Sequence, residues 1–366
     1  MAITDGNFNP RWTLVVPVVC WAILGLKFLA GSFALMPILL ATGLIGGVVC
    51  AVHHAEVIAL KVGEPFGTLV LALSVTTIEV ALIVSMMLSS DGPEAMALPR
   101  DTLFAAIMII LNGIIGVSLL MGGRKNRIQQ FNLEGVTDAL CTMSVIIVLT
   151  MVVPNFVSSA NGIYSTTQLG FLAVVTLGLF IAFTFFQTVL HRDYFIFEVA
   201  TPDGAVAVSP AAKPSGKTAL TSVALLLVSL VAVVLSAKGL SPTLEALLGR
   251  FGAPAATLGI IIAAIVLMPE FGASIRAAQA NRLQSSLNLA IGSAIASIGL
   301  TVPVVATIAL FMGWPLQLGL DGLSITLLTL SLFTVAMSLR TGSTTLQPGI
   351  VHLGLFATYL FFSFVP

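Results

Sequence analysis

Long apolar runs separated by short polar breaks recur eleven times along this chain, at residues 12–30, 34–52, 66–89, 103–121, 139–156 and 169–189, then 219–237, 255–277, 287–311, 320–338 and 350–365. About 20 apolar residues coiled as an α-helix match the roughly 30 Å hydrocarbon core of a bilayer. The pattern therefore predicts an all-α polytopic membrane protein with about 11 transmembrane helices. The longest polar stretch, 191–217, holds Pro202, Pro210 and Pro214 among Ser and Gly, and reads as a linker. It divides the chain into an N-terminal segment with the first helix (1–33), a five-helix stretch (34–190), the linker itself (191–217) and a second five-helix stretch (218–366). Five is odd, so corresponding helices of the two stretches cross in opposite directions, an inverted repeat.

Composition narrows this further. Of 366 residues, 58% are hydrophobic and 8% charged, against roughly 25% charged in soluble domains. The partners this implies are the lipid bilayer and small ions. Fifteen basic residues balance fifteen acidic ones, which offers nothing to a nucleic acid. Cys20, Cys50 and Cys141 fall in apolar spans without metal-type spacing and read as small membrane-buried residues. Ala30-Gly31-Ser32 loosely matches a signal cleavage site, but the preceding apolar run is long and Lys27 interrupts its end, so a retained first helix is expected.

Lys and Arg set the orientation. With the N-terminus inside, cytoplasmic segments carry Arg11, Lys61, Arg124, Lys125, Arg127, Arg192, Lys213, Lys217, Arg276, Arg282 and Arg340. The other side carries Lys27, Arg100, Lys238 and Arg250. This bias predicts a cytoplasmic N-terminus, a cytoplasmic linker and an external C-terminus.

Two acidic residues, Glu79 and Glu270, stand mid-span, one in each half, while the other acidic residues lie at span ends or in loops. A carboxyl group at mid-membrane costs at least about 2.5–3.5 kcal/mol on insertion scales and marks a functional site by default. Each follows a Gly-x-Pro break: Gly63-Glu64-Pro65 before Glu79, and Gly252-Ala253-Pro254 before Glu270. Ser74, Thr76 and Thr77 lie within one helical turn of Glu79 and offer hydroxyl oxygens suited to a hard cation. Around Glu270 the chain reads Val266-Leu267-Met268-Pro269-Glu270-Phe271-Gly272. Pro269 removes a backbone donor, which predicts a helix break near Val266 with freed carbonyls, and Gly272 is expected to admit neighbouring backbone. In the next span Asn288, Ser293 and Ser297 are read as one polar lining, with Asn112 and Ser118 as weaker candidates in the fourth span. Glu56 and Glu64 are assigned to an access funnel. His53 and His54 read as a solvated helix end, and His191 and His352 receive no role.

Paired carboxylates in low dielectric imply a particular chemistry. Both ionised, they are strongly unfavourable; two protons, one divalent cation, or one monovalent cation with one proton neutralise them. If only neutral states switch access, cation and proton exchange, and no cofactor is needed beyond the transported Ca²⁺, Na⁺ or K⁺ and H⁺. An intramembrane metal-dependent enzyme is the different-class alternative, but the chain has no His-Glu-x-x-His pattern.

Ala55 to Met87, with Gly63-Glu64-Pro65-Phe66-Gly67 and Glu79, resembles the first alpha-repeat of the calcium/cation antiporter superfamily. Met268-Pro269-Glu270 through Asn281-Arg282, Gly292-Ser293 and Val302-Pro303-Val304-Val305 resembles its second. Leu120-Met121-Gly122-Gly123-Arg124-Lys125 and the overall length are similar to the bacterial ChaA-type sodium-calcium/proton antiporters. The resemblance implies alternating access around Glu79 and Glu270, extrusion of Ca²⁺, Na⁺ or K⁺ against protons, and residence in a bacterial inner membrane. The chain departs from the pattern in four places. Val75-Thr76 and Val266-Leu267 stand where many members have Gly-Asn, Ala296 stands where many calcium exchangers have Gln, and the central loop lacks an acidic run. Fewer amide oxygens weaken the expectation of strict calcium selectivity.

Overall fold

The computed structural model describes residues 8–31, 33–63, 66–88, 93–157, 162–195, 213–254 and 256–365. In chain order the helices are α1 (Arg11–Ala30), α2 (Met36–Val62), α3 (Phe66–Met87), α4 (Pro93–Met108), α5 (Ile115–Asn126), α6 (Leu133–Met151) and α7 (Pro154–Val157). They continue with α8 (Thr166–Phe185), α9 (Gly216–Phe251), α10 (Ala256–Val266), α11 (Met268–Gln279), α12 (Leu283–Met312), α13 (Gly322–Ser338) and α14 (Leu346–Phe364). A π-helical stretch, Ile109–Ile114, joins α4 to α5 without a break. Strands β1 (Gln129–Gln130) and β2 (Ser343–Thr344) form a short antiparallel ribbon pairing Gln129 with Thr344.

Among the described residues, nine helical segments are long and apolar enough to cross a membrane. α10 and α11 add one span bent by 54°, and α13 is a shorter apolar helix. Together they occupy the eleven stretches that hydropathy marks out. The protein is an all-α, multi-pass membrane protein. Several boundaries moved: the second span, expected over 34–52, runs on to Val62, the fourth, expected over 103–121, begins at Pro93, and the seventh, expected over 219–237, belongs to a helix that runs on to Phe251. Pro242 does not stop it, and one turn later Glu245 accepts a hydrogen bond from Ser241 Oγ at 2.8 Å. Most of the linker, 196–212, lies outside the described residues.

The chain forms two compact units, each drawing on both sides of the linker: Met1–Ser90 with Ala200–Gly252, and Asp91–Val199 with Ala253–Pro366. In the first, α2 packs against α1, α3 and α9. Its buried positions Leu40, Gly43, Leu44, Gly47, Val48 and Ala51 recur every three or four residues, as one face of a helix must. Close approach depends on glycine at Gly47, where a Cβ would lie 2.8 Å from Val233 of α9. Buried Cys20 and Cys50 donate to the carbonyls of Gly43 and Thr13, whereas Cys141 is exposed on α6 rather than buried. His53 and His54 are also not a solvated end. Both are buried, their Nε2 atoms 2.9 Å from Phe8 O and 3.2 Å from Thr13 O, so they pin the start of α1 to α2.

In the second unit the α4–π–α5 rod is central, packed against α10, α11, α12 and α14. Leu103, Met108, Ile110, Leu111, Ile114, Ile115 and Leu119 are almost wholly enclosed. At one end of this unit the β1–β2 ribbon and Gln129, which donates to Ala278 O at 2.8 Å, tie the α5–α6 and α13–α14 connections to the end of α11.

Candidate functional site

A glycine ends the helix upstream of each glutamate-bearing span. α2 ends at Gly63 (φ 78°) and α9 at Gly252 (φ 65°), both at positive φ, which glycine adopts without a Cβ clash. Glu64, assigned to the access funnel, and Pro65 lie outside the described residues. Gly67 brings the start of α3 onto α2: a Cβ there would stand 2.6 Å from Ala59 O. α3 then runs unbroken through Glu79.

Glu79 is 5% exposed and sits in a buried stripe with Val75, Thr76, Ile78, Leu82, Ile83 and Met86. Of the three hydroxyl residues proposed beside it, only Thr76 shares that stripe. Thr77 is exposed and Ser74 is half-buried; their hydroxyls donate to Leu73 O at 2.6 Å and Val70 O at 2.8 Å. This is the usual back-bonding of hydroxyls within a helix.

Glu270 is 7% exposed and occupies the first turn of α11, just past the bend. The expected break is present, centred on Leu267, one residue beyond buried Val266. Pro269 cannot donate to the carbonyl of Ile265, so the helix axis turns there. The carboxylate thereby gains the positive end of a new helix dipole, which an uninterrupted helix would deny it. Gly272 does not admit neighbouring backbone; the nearest atom to its absent Cβ is Arg276 Nη1 at 3.2 Å, the tip of a flexible side chain.

One turn beyond Glu270, Ser274 is fully buried and meets two further buried hydroxyls, Ser118 at 3.1 Å and Ser286 at 2.7 Å. Neither Ser274 nor Ser286 stood out in sequence, because serines 156 and 12 positions away become neighbours only by helix packing. Their signal was the i, i+4 spacing of Ser274 from Glu270 on one helix face.

The polar lining on α12 is shorter than expected. Ser293, half-buried, and Ser297, 5% exposed, follow one face, and Thr301 continues it. Asn288 does not belong to it: at about 100° per residue it lies about 180° from Ser297. Its amide is spent elsewhere, accepting from Gln284 Nε2 at 2.8 Å and donating to Phe195 O at 2.6 Å. Glu56 is half-buried on α2. Asn112 and Ser118, the weaker candidates, are both fully enclosed.

The sodium/calcium exchanger protein family matches residues 32–189 and 221–365. A Sinorhizobium fredii protein named as an ionic transporter is 42% identical over 98% of this chain and 97% of its own length. The sodium-potassium/proton antiporter ChaA of Escherichia coli is 36% identical over 95% of this chain and 94% of its own. Among solved structures, the Ca²⁺/H⁺ antiporter YfkE superposes with a TM-score of 0.70 at 16% identity, covering 98% of this chain and all of that one.

Proposed function

As the chain belongs to the sodium/calcium exchanger protein family, we propose that it is a cation/proton antiporter in which Glu79 and Glu270 bind cation and proton in turn. It works by alternating access between two inverted five-helix repeats, in a bacterial inner membrane, with its N-terminus in the cytoplasm and its C-terminus outside. The observation that carries this reading is that Glu79 and Glu270 are the buried acidic side chains among the described residues. Burial penalises two ionised carboxylates, so the empty site is unfavourable and must refill before access switches. Refilling by protons on one side and by cation on the other is exchange. The family and the relatives are transporters, and the enzyme reading is set aside.

The oxygen set favours a monovalent cation over Ca²⁺. Ca²⁺ takes about 6–8 oxygen ligands. On the described residues the oxygen-bearing candidates are Thr76 on the stripe of Glu79, Ser293 and Ser297 along one face of α12, and carbonyls near the bend before Glu270, with Asn288 diverted to Phe195. The Escherichia coli relative, named for sodium and potassium, points the same way. Calcium remains the second reading, carried by the fold shared with the Ca²⁺/H⁺ antiporter.

The test is cation-induced collapse of a pH gradient in everted vesicles, with Na⁺, K⁺ and Ca²⁺ compared between about pH 7 and 9. Collapse by Na⁺ or K⁺ that vanishes in both Glu79→Gln and Glu270→Gln is the expected result. Full exchange in either variant overturns the two-glutamate mechanism, and collapse by Ca²⁺ alone overturns the monovalent preference.

A further inference from the structure

His352 of α14 is fully buried, and its Nδ1 stands 3.1 Å from Asn112 Oδ1. The direction of that bond follows from its neighbours. Asn112 Nδ2 donates to Ser331 Oγ at 2.8 Å, and Ser331 Oγ donates to Leu327 O at 2.7 Å. A hydroxyl has one proton, so Ser331, having spent it on Leu327, can only accept from Asn112. Met108 Sδ, 3.9 Å from Asn112 and 3.7 Å from Ser331, is too weak an acceptor to reverse that order. The amide is therefore oriented with its oxygen toward the imidazole, and an amide oxygen only accepts. The ring nitrogen facing it must carry the proton. His352 is the Nδ1–H tautomer, and its buried Nε2 has no hydrogen-bond partner among the described residues.

This chain of bonds holds an unusual piece of backbone. Asn112 lies in the π-helical stretch Ile109–Ile114, where the Ile115 N–H bonds to Ile110 O, five residues back. A π-turn accommodates an extra residue and is rarely stable by itself; such turns cluster at functional sites. This one packs against α11, which carries Glu270, and α12, which carries Ser293 and Ser297. Glycines set the crossing that brings His352 within reach. At Gly116 a Cβ would lie 3.1 Å from His352 Cβ, and at Gly113 3.5 Å from the Phe356 ring.

Building on the antiporter reading, we infer that His352 is a positioning residue for transport. Its Nδ1–H fixes Asn112, and Asn112 pins the π-turn that abuts the helices bearing Glu270 and Ser297. The Asn112 amide is thus part of the frame and does not ligate the cation through its side chain.

Three substitutions separate the atoms. His352→Asn keeps an N–H at the Nδ1 position, His352→Gln moves it out toward Nε2, and His352→Leu removes it. With activity normalised to monodisperse protein, His352→Asn should keep kcat/KM within about threefold of wild type, and the other two should lose at least about tenfold, as expected when a buried acceptor is orphaned. A fold defect alone would lower the yield of monodisperse protein and would not rank Asn above Gln. Equal activity of the Asn and Gln variants overturns the inference. A second measurement is independent of transport: ¹⁵N-histidine NMR of the whole protein, with the His352 signals assigned by their loss in a folded variant. A protonated Nδ1 beside a bare Nε2 supports the chain of bonds, and a protonated Nε2 overturns it. Glu270→Gln in the same vesicles separates the two readings. If it transports fully, the antiporter mechanism falls. If it is inert while all three His352 variants match wild type, only the positioning role falls. If the wild type exchanges no cation, the NMR result alone decides the pinning.

Discussion

Alanine at Gly349 should loosen the second unit, and the structure supplies the scale. A Cβ at this position would stand 2.6 Å from Leu120 N, 2.8 Å from Gly116 O and 3.0 Å from Leu120 Cα. Carbon contacts prefer about 3.5–4.0 Å. The opposing atoms are α5 backbone, so no rotamer change relieves the overlap and the two helices must part. Overpacking of this kind typically costs about 1–3 kcal/mol. Alanine also gains about 1 kcal/mol over glycine in helix propensity, which would mask part of the loss. Gly354, on the same helix, has open space where its Cβ would be, so Gly354→Ala takes the propensity gain without the clash. The difference between the two variants isolates the steric cost. If the α5–α14 crossing opens before the slow step of unfolding, Gly349→Ala should lose monodisperse protein about 5–150 times faster than Gly354→Ala on heating in detergent. Equal rates would show that the helices do not cross this closely.

Ser274→Ala removes the hydrogen bond that the Ser118 side chain makes with Ser274 Oγ, its one side-chain bond among the described residues, and should destabilise by about 1–3 kcal/mol. In the same heating assay Thr358→Ala, at an exposed hydroxyl that donates to Gly354 O, should stay within about 0.5 kcal/mol of wild type. Tyr164, in the segment between α7 and α8, donates to Leu149 O at 2.6 Å, and burial pushes its phenol up to about 12. A raised folded-state value favours the neutral phenol, so its contribution is intact below the ordinary value of about 10 and is lost as pH climbs toward 12. Melting of wild type and Tyr164→Phe between about pH 9 and 12 tests this: the difference should shrink with pH, and parallel curves would refute it.

The spans and the burial of the two glutamates were legible because a single charge inside an apolar run needs no knowledge of its neighbours. The bend at Leu267 was legible for a similar reason, since Pro269 acts on its own helix. What failed depended on direction or distance. Asn288 and Ser297 looked like one lining until helical phase separated them, and the carbonyl that claims Asn288 lies 93 residues away. Thr77 is close to Glu79 in sequence but points off its stripe. His352 received no role because its partner is 240 residues upstream. His53 and His54 look like a polar helix end in sequence, yet the start of α1 folds over them and supplies carbonyl acceptors.

The division into two discontinuous units has a consequence for biosynthesis. The first unit is complete in sequence once Gly252 has been made, while the second begins at Asp91 and needs α14. Domains fold as units during synthesis, N-terminal parts first. β1 must therefore wait for β2, more than two hundred residues behind it, before Gln129 finds Thr344. Asn112 waits longer still for His352. A nascent chain halted after α12 holds both glutamates, yet its π-turn has neither Ser331 nor His352 to close it. The last two helices complete the frame late, so quality control in the membrane has a long interval in which to recognise an unfinished second unit.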